Sequence, residues 1–159
     1  YEWTDTPNRL HFYVINVEKD AKGVLTYTVG VKSLDGAGPQ TRGVTMTSQK
    51  FDVAAGANGM ATFTVKNTGT AAPIPAGAHT KDVSTFANND IYRLSVTVDG
   101  DGWAAALPSA LVSVPFGGSV PAQLFVSRSA SSSKAATITV TATSETDPTK
   151  RATAQYTWR

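Results

Sequence analysis

Hydrophobic and polar residues alternate along much of this chain, and residues 59–70 (GMATFTVKNTGT) show the alternation most clearly. Ala61, Phe63 and Val65 fall on one side of an extended backbone, and the residues between them, two threonines among them, fall on the other. Because successive side chains of a strand point to opposite faces, this period of two predicts one buried face and one solvent face. An antiparallel sheet commonly offers that pair of environments.

The same period recurs in short segments that are separated by turn-forming residues such as Gly, Pro, Asn, Asp and Ser. The predicted strands are 10–17, 24–31, 44–46, 51–53, 60–66, 91–98, 110–114, 120–126, 136–143 and 152–158. Short strands at close spacing are typical of an all-β sandwich or barrel. Residues 104–111 come nearest to a helical pattern, but Pro108 interrupts them. We therefore predict an all-β fold of antiparallel strands.

The first two predicted strands form an N-terminal hairpin. Residues 10–17 (LHFYVINV) are rich in aromatic and β-branched side chains, so we expect both faces of this strand to be largely covered. A polar turn at 18–23 leads into the second strand, 24–31. That strand places four apolar residues on one face, namely Leu25, Tyr27, Val29 and Val31.

Residues 34–43 (LDGAGPQTRG) are the best candidate for a boundary, because Gly and Pro are concentrated there. They divide the chain into an N-terminal hairpin segment, 1–42, and a module, 43–159. The hairpin segment either packs on the module or remains from a preceding domain. A chain of 159 residues fits one domain with such an attached segment.

Composition and charge narrow the possible partners. The net charge of +2 is too small to predict binding to nucleic acid or to a membrane surface. No apolar run approaches the roughly 20 residues of a membrane span. The chain has no cysteine, which excludes disulfides and thiol chemistry. Its first residues do not resemble a signal peptide, so we expect a mature product or an excised part. The Thr-, Ser- and Gly-rich composition favours a secreted, extracellular protein.

Catalytic motifs are missing from the sequence. Metallopeptidases commonly place two histidines and a glutamate on one helix as HExxH, whereas this chain has only His11 and His79, in a predicted strand and a predicted loop. A serine nucleophile needs a base and an orienting group, and no GxSxG turn is present. We therefore predict that the chain is not an enzyme and has no catalytic residues.

Two acidic loops form a candidate calcium site. Asp99 and Asp101 lie in the turn before Trp103, and Asp90 follows two asparagines at the start of a strand. Calcium prefers such hard oxygen ligands in loops. The alternative is that Asp and Asn stabilise turns by accepting hydrogen bonds from nearby backbone N–H groups. Apart from calcium, we expect no cofactor.

Aromatic residues form a second candidate site. Trp103, Phe125 and Tyr13 could bind a carbohydrate, because flat rings stack on the apolar faces of sugars. Phe125 is predicted to point outward from its strand, between Leu124 and Val126. The alternative is that these rings fill the core or an interdomain contact, with Trp103 closing one end of the sandwich.

From about residue 43 to the end, four groups of residues resemble accessory β-sandwich modules of secreted bacterial hydrolases. They are Ala55-Gly56 with 62–70 (TFTVKNTGT); 90–96 (DIYRLSV); Gly102-Trp103 with Leu107-Pro108, 112–114, 117–118 and 120–128; and 136–144 with Asp147-Pro148. Such modules include the alpha-galactosidase-associated NEW domains. The leading segment resembles the region where actinobacterial immune-inhibitor-A-like metallopeptidases pass from their catalytic part into such a module.

The resemblance implies an antiparallel Ig-like β-sandwich, extended by the N-terminal hairpin, that serves a secreted bacterial peptidase or glycosidase. Its expected partner is the catalytic domain of that hydrolase or another protein, and it would mediate contact with a substrate or the cell surface. One alternative is a carbohydrate-binding module that contacts polysaccharide. Another is a free-standing protein-binding or inhibitor β-sandwich that uses a loop such as 71–90.

Overall fold

The computed structural model describes residues 1–79 and 87–158, and their regular elements are eleven β-strands. The strands are β1 (Glu2–Asp5), β2 (Leu10–Lys19), β3 (Leu25–Ser33), β4 (Val44–Ser48), β5 (Asn58–Asn67), β6 (Asn89–Asp99), β7 (Trp103–Ala106), β8 (Leu111–Pro115), β9 (Ser119–Arg128), β10 (Ala136–Ser144) and β11 (Arg151–Trp158). They form three sheets, and every strand pair in them is antiparallel.

Two four-stranded sheets make the sandwich. One has the strand order β11-β10-β6-β8, and the other has the order β4-β5-β9-β7. The alternation in the sequence places one face of each sheet inside, as Phe63 and Val65 on β5 and Val140 on β10 show, since each is fully buried. One apolar cluster fills the space between the sheets. The predicted all-β antiparallel sandwich is confirmed.

The N-terminal hairpin is present and is wider than predicted. β1 pairs with β2 to give a three-stranded sheet in the order β1-β2-β3, which we call the N-terminal sheet. The register between β2 and β3 shifts between Val14 and Asn16, which marks a β-bulge at Ile15. Beyond the bulge, Val17 pairs with Tyr27 and so returns to the face that carries Val14.

Only one face of the N-terminal sheet is covered. Its inner face packs on the sandwich through Tyr13 and Ile15, which form a buried cluster with Ile91 and Leu111. Gly30 permits this close approach, because a Cβ there would lie 2.7 Å from side-chain atoms of both Ile15 and Ile91. The opposite face is exposed, so the expectation that both faces of this strand are covered was wrong for the described chain.

Other local predictions differ from the structure. Residues 51–53 are not a strand; Phe51 instead packs edge-on against Tyr156 and Trp158. The segment nearest to a helical pattern contains part of β7, which gains backbone hydrogen bonds by pairing with β9. Residues 80–86 of the loop proposed as a protein contact lie outside the described residues.

Candidate functional site

The junction between the N-terminal sheet and the sandwich is the most elaborate polar arrangement in the structure, and Glu145 lies at its centre. Glu145 follows β10, and its carboxylate accepts hydrogen bonds from the Tyr13 hydroxyl at 2.8 Å and from Arg93 Nε at 2.5 Å. Lys32 Nζ donates to the Glu145 main-chain oxygen at 2.6 Å. Residues from β2, β3 and β6 therefore converge on Glu145, which ties the N-terminal sheet to the sheet that contains β6.

Arg93 connects this carboxylate to β1. A second guanidinium nitrogen of Arg93 lies 2.7 Å from a carboxylate oxygen of Glu2, and the same carboxylate lies 3.2 Å from the His11 ring. Charge-assisted hydrogen bonds of this kind are stronger than neutral ones. They fix the edge of the N-terminal sheet on a solvent-facing position of β6.

The pKa values of the junction groups follow from these contacts. Burial raises the pKa of Glu145, but hydrogen bonds from Arg93 and Tyr13 outweigh burial and leave it below its ordinary value. The hydrogen bond from Arg93 likewise lowers the pKa of Glu2. Burial, followed by the bond to Glu145, raises the pKa of Tyr13 well above its usual range. The junction is thus arranged around ionised carboxylates and a neutral tyrosine.

A buried ion pair fixes the segment that connects the N-terminal sheet to the sandwich. Arg42 lies 3.0 Å from Asp90, and both side chains are almost completely buried. The Ser144 hydroxyl donates to the other oxygen of Asp90 at 2.7 Å, and Arg42 also donates to the main-chain oxygen of Ala37 at 2.9 Å. The Gly/Pro-rich connection is therefore held against the sandwich by a buried charge pair.

The predicted calcium ligands are not brought together. Asp90 is the second residue of β6, whereas Asp99 is the last, and nine residue steps of strand hold them roughly 30 Å apart. Asp90 is 1% exposed and faces Arg42. Asp99 and Asp101 lie in the exposed turn before β7. Across 1–79 and 87–158, no group of three or more His, Cys, Asp or Glu side chains is arranged to hold a metal ion.

The predicted aromatic site is also dispersed over the molecule. Trp103 is buried, packs on Trp158 with ring centroids 4.5 Å apart, and donates from Nε1 to the main-chain oxygen of Ser133. Tyr13 is buried in the junction. Phe125 is 51% exposed and points outward beside Met60, its partner on β5. These three rings therefore share no common surface, and the carbohydrate role of Phe125 stays a prediction.

Sequence reasoning missed the junction residues. The period of two in 91–98 places Arg93 on the side away from the sandwich core, but it cannot show that a neighbouring sheet covers that side. Glu145 follows a strand, and Lys32 and Glu2 belong to no recognisable motif. The sequence offered one usable indication, the glycine at position 30 inside an apolar strand, because such a glycine often marks a close backbone approach.

The geometry defines an antiparallel β-sandwich with an N-terminal sheet fixed on its side. The chain belongs to the Peptidase M6-like domain family, whose model matches residues 41–159. A second family model, described as a middle domain, matches residues 1–34. The part of the chain that the structure describes contains no helix long and apolar enough to span a membrane.

Among known proteins, the chain is similar to a protein of the fungus Arthroderma benhamiae that is named as a candidate secreted metallopeptidase. The two are 38% identical over 161 residues, which cover 98% of this chain and 23% of that protein. The chain therefore spans about a quarter of its relative. These findings support the peptidase side of the resemblance, but not the NEW-type domain, and the relative is fungal rather than bacterial.

One solved structure resembles the chain more distantly. It is the ASH/PapD-like domain of human CEP192, which is 11% identical, with a TM-score of 0.37, and the likeness covers 74% of this chain and 81% of that one. At that score the likeness supports no conclusion about this chain.

Proposed function

We propose that this chain is a non-catalytic accessory module of a secreted peptidase, and that it packs on the catalytic part of that enzyme. The observation that carries the proposal is the junction, in which the Glu145 carboxylate joins Tyr13 of the N-terminal sheet to Arg93 of the sandwich. A junction of this kind makes the N-terminal sheet a rigid connection rather than a flexible linker.

Family membership supports this role. The module matched over 41–159 belongs to a family described by its likeness to M6 peptidases, and the fungal relative is named for secretion and metallopeptidase activity. On this basis we propose that residues 1–42 form a connecting segment, that residues 43–159 form the accessory sandwich, and that the protein is extracellular.

The non-catalytic part of the proposal rests on chemistry. The sequence contains two histidines and no HExxH, so it lacks the usual zinc-binding motif of a metallopeptidase. His11 faces Thr4 and Glu2 in the junction, where its ring nitrogens lie 2.9 Å and 3.2 Å from side-chain oxygens. These contacts hold the His11 ring between β1 and β2, as expected for a structural histidine.

The proposal can be tested by assaying peptide hydrolysis with the 159-residue chain alone, with added zinc and with EDTA. We expect no turnover above the buffer in either condition. Turnover that EDTA removes would overturn the non-catalytic role.

A second experiment tests the connecting role in the complete polypeptide. Replacing Glu145 with Gln should weaken the junction and increase proteolytic cleavage in 34–43. The matched control is Glu18→Gln, in the exposed end of β2. If both variants are cleaved at the wild-type rate, the junction is not what holds the two parts together.

A further inference from the structure

Among residues 1–79 and 87–158, the outer face of the N-terminal sheet is the largest concentration of exposed apolar side chains. We define the outer face by six exposed residues. They are Trp3, Val17, Leu25, Tyr27, Val29 and Val31, each between 45% and 61% exposed. Phe12 and Val14, which are half-buried, lie between them. Contiguous apolar surface of this kind is typical of an interface.

Strand register makes this face continuous. Trp3 pairs with Phe12 and Phe12 with Val31, so these three residues form one row across the sheet. The rings of Trp3 and Phe12 stack, with centroids 5.2 Å apart. The pairs Val14–Val29 and Val17–Tyr27 form the next two rows, the second one because the bulge restores the alternation.

A sheet face lined by apolar side chains is normally buried against another layer of the fold. The sandwich covers the inner face of this sheet through Ile91 and Leu111. The outer face has no cover within the described residues, and all six of its defining side chains are apolar or aromatic. Its missing partner must therefore also be apolar.

We propose that an apolar layer, supplied by the segment that precedes Tyr1 in the complete polypeptide, covers the outer face. This inference rests on the proposed function, because it names the surface through which the accessory module meets the rest of the enzyme. The sheet matches a middle-domain model over 1–34, whereas the sandwich matches a different family. The relative also has more than three times as much chain outside this region as within it.

The chain path supports the same occupant. Tyr1 already continues the ladder beside β2, since its main-chain oxygen accepts a hydrogen bond from Val14 N at 2.9 Å. Chain that precedes Tyr1 therefore arrives at the edge of the N-terminal sheet, next to Trp3. A short connection to that edge is enough to place the preceding layer over the outer face.

Cysteine labelling tests this proposal, because the chain has no cysteine of its own. Val29→Cys places a thiol in the outer face, and Phe125→Cys places one on the sandwich, where the native side chains are 54% and 51% exposed. In the 159-residue chain, both thiols should react with a maleimide at similar rates. Val31→Cys is a second probe of the outer face if the first variant folds poorly.

The deciding measurement uses the longer polypeptide that includes the residues preceding Tyr1 in its reading frame, with labelling read out by peptide mapping. The Val29→Cys thiol should react about tenfold more slowly there, because an apolar interface excludes the reagent. The Phe125→Cys thiol should keep its rate. Equal labelling of both thiols, or a reading frame without a preceding segment, would overturn the proposal.

Self-association is a distinct outcome that also contradicts it. If Val29→Cys is already protected in the 159-residue chain, and more so at higher concentration, the outer face binds a second copy instead. Labelling and peptide hydrolysis are independent measurements. An unprotected outer face would contradict this proposal without affecting the non-catalytic role. Turnover of peptide by the 159-residue chain would contradict the non-catalytic role, whatever the labelling shows.

Discussion

The sandwich and the N-terminal sheet show the same apolar alternation but bury their apolar faces to different extents. In the sandwich, seventeen buried residues form one cluster between two sheets. The N-terminal sheet contributes only Tyr13 and Ile15 to a buried cluster, and both need Ile91 and Leu111 of the sandwich as partners. Of the eleven large hydrophobic residues exposed in the described ranges, eight lie within residues 1–33.

This difference shows that apolar alternation predicts a strand but does not predict which layer packs on its apolar face. The sandwich contains both of its layers, so its apolar faces meet within the chain. The N-terminal sheet is a single layer, so each of its faces must find cover elsewhere. The sandwich covers one face, and the other is exposed in the described part of the chain. The sandwich therefore buries its own apolar faces, whereas the N-terminal sheet does not.

Paired truncations should give the largest contrast between the regions. Phe63→Ala removes a fully buried ring and should lower the free energy of unfolding by about 4 kcal/mol, since it leaves a cavity. Tyr27→Ala, on the exposed outer face, should change it by less than about 0.5 kcal/mol in the 159-residue chain. Urea unfolding of both variants measures the difference. Comparable losses would mean that the outer face is covered in the isolated chain.

Breaking the buried pair that fixes the connection should be nearly as costly. Asp90→Asn leaves Arg42 buried without its counter-charge, and we expect a loss of about 3 kcal/mol. The control is Asp99→Asn, at the exposed end of β6. If urea unfolding shows equal stability for the two variants, the Arg42–Asp90 pair contributes nothing specific.

A milder change should separate the two regions. Tyr13→Phe keeps the ring but removes the hydroxyl that donates to Glu145, so the junction should lose about 1 to 1.5 kcal/mol. Hydrogen exchange should accelerate in β2 and β3 while β5 and β10 keep their protection. Uniform acceleration in all strands would show that the N-terminal sheet and the sandwich unfold as one unit.

Acid should weaken the junction more gently. Glu145 and Glu2 have lowered pKa values in the folded chain, so their contribution to stability is full above the unfolded value of about 4.3 and is lost as the pH falls through the folded values. The urea concentration at the unfolding midpoint should therefore decrease as the pH is lowered from about 6 to about 3. Glu145→Gln should make this decrease smaller. An identical pH profile for the variant would exclude Glu145 as a contributor.

The turn that contains Asp99 and Asp101 should show the smallest effect. Replacing both with Asn in EDTA should change stability by no more than about 0.5 kcal/mol, because this turn is exposed. Added calcium separates the two interpretations of these carboxylates. A thermal unfolding midpoint that rises with calcium in the wild type and not in the variant would establish a calcium site in this turn. If calcium leaves the wild-type midpoint unchanged, the two carboxylates only stabilise the turn.

Particular residues show how far the sequence could be taken. Phe63, Val65 and Leu124 were assigned inward from the period of two, and Phe125 outward, and the structure confirms each assignment. β1 was missed because its four residues, EWTD, carry too little pattern to predict a strand. The bulge at Ile15 was also missed, since a bulge depends on how two strands are paired.

The junction lay beyond sequence reasoning for a different reason. Tyr13 and Glu145 stand 132 positions apart, and no local pattern relates them. Asp90 and Asp99 look alike in sequence, but one is buried against Arg42 and the other lies at an exposed strand end. The environment that distinguishes them exists only after the sheets have paired.

The sequence by itself determined where the backbone extends and which side chains share a face, because both follow from the geometry of a strand and from short turns. Only the tertiary structure decided which face of the N-terminal sheet is buried and which carboxylates are paired. Those outcomes depend on which layer packs against which, and packing brings together residues that are remote along the chain.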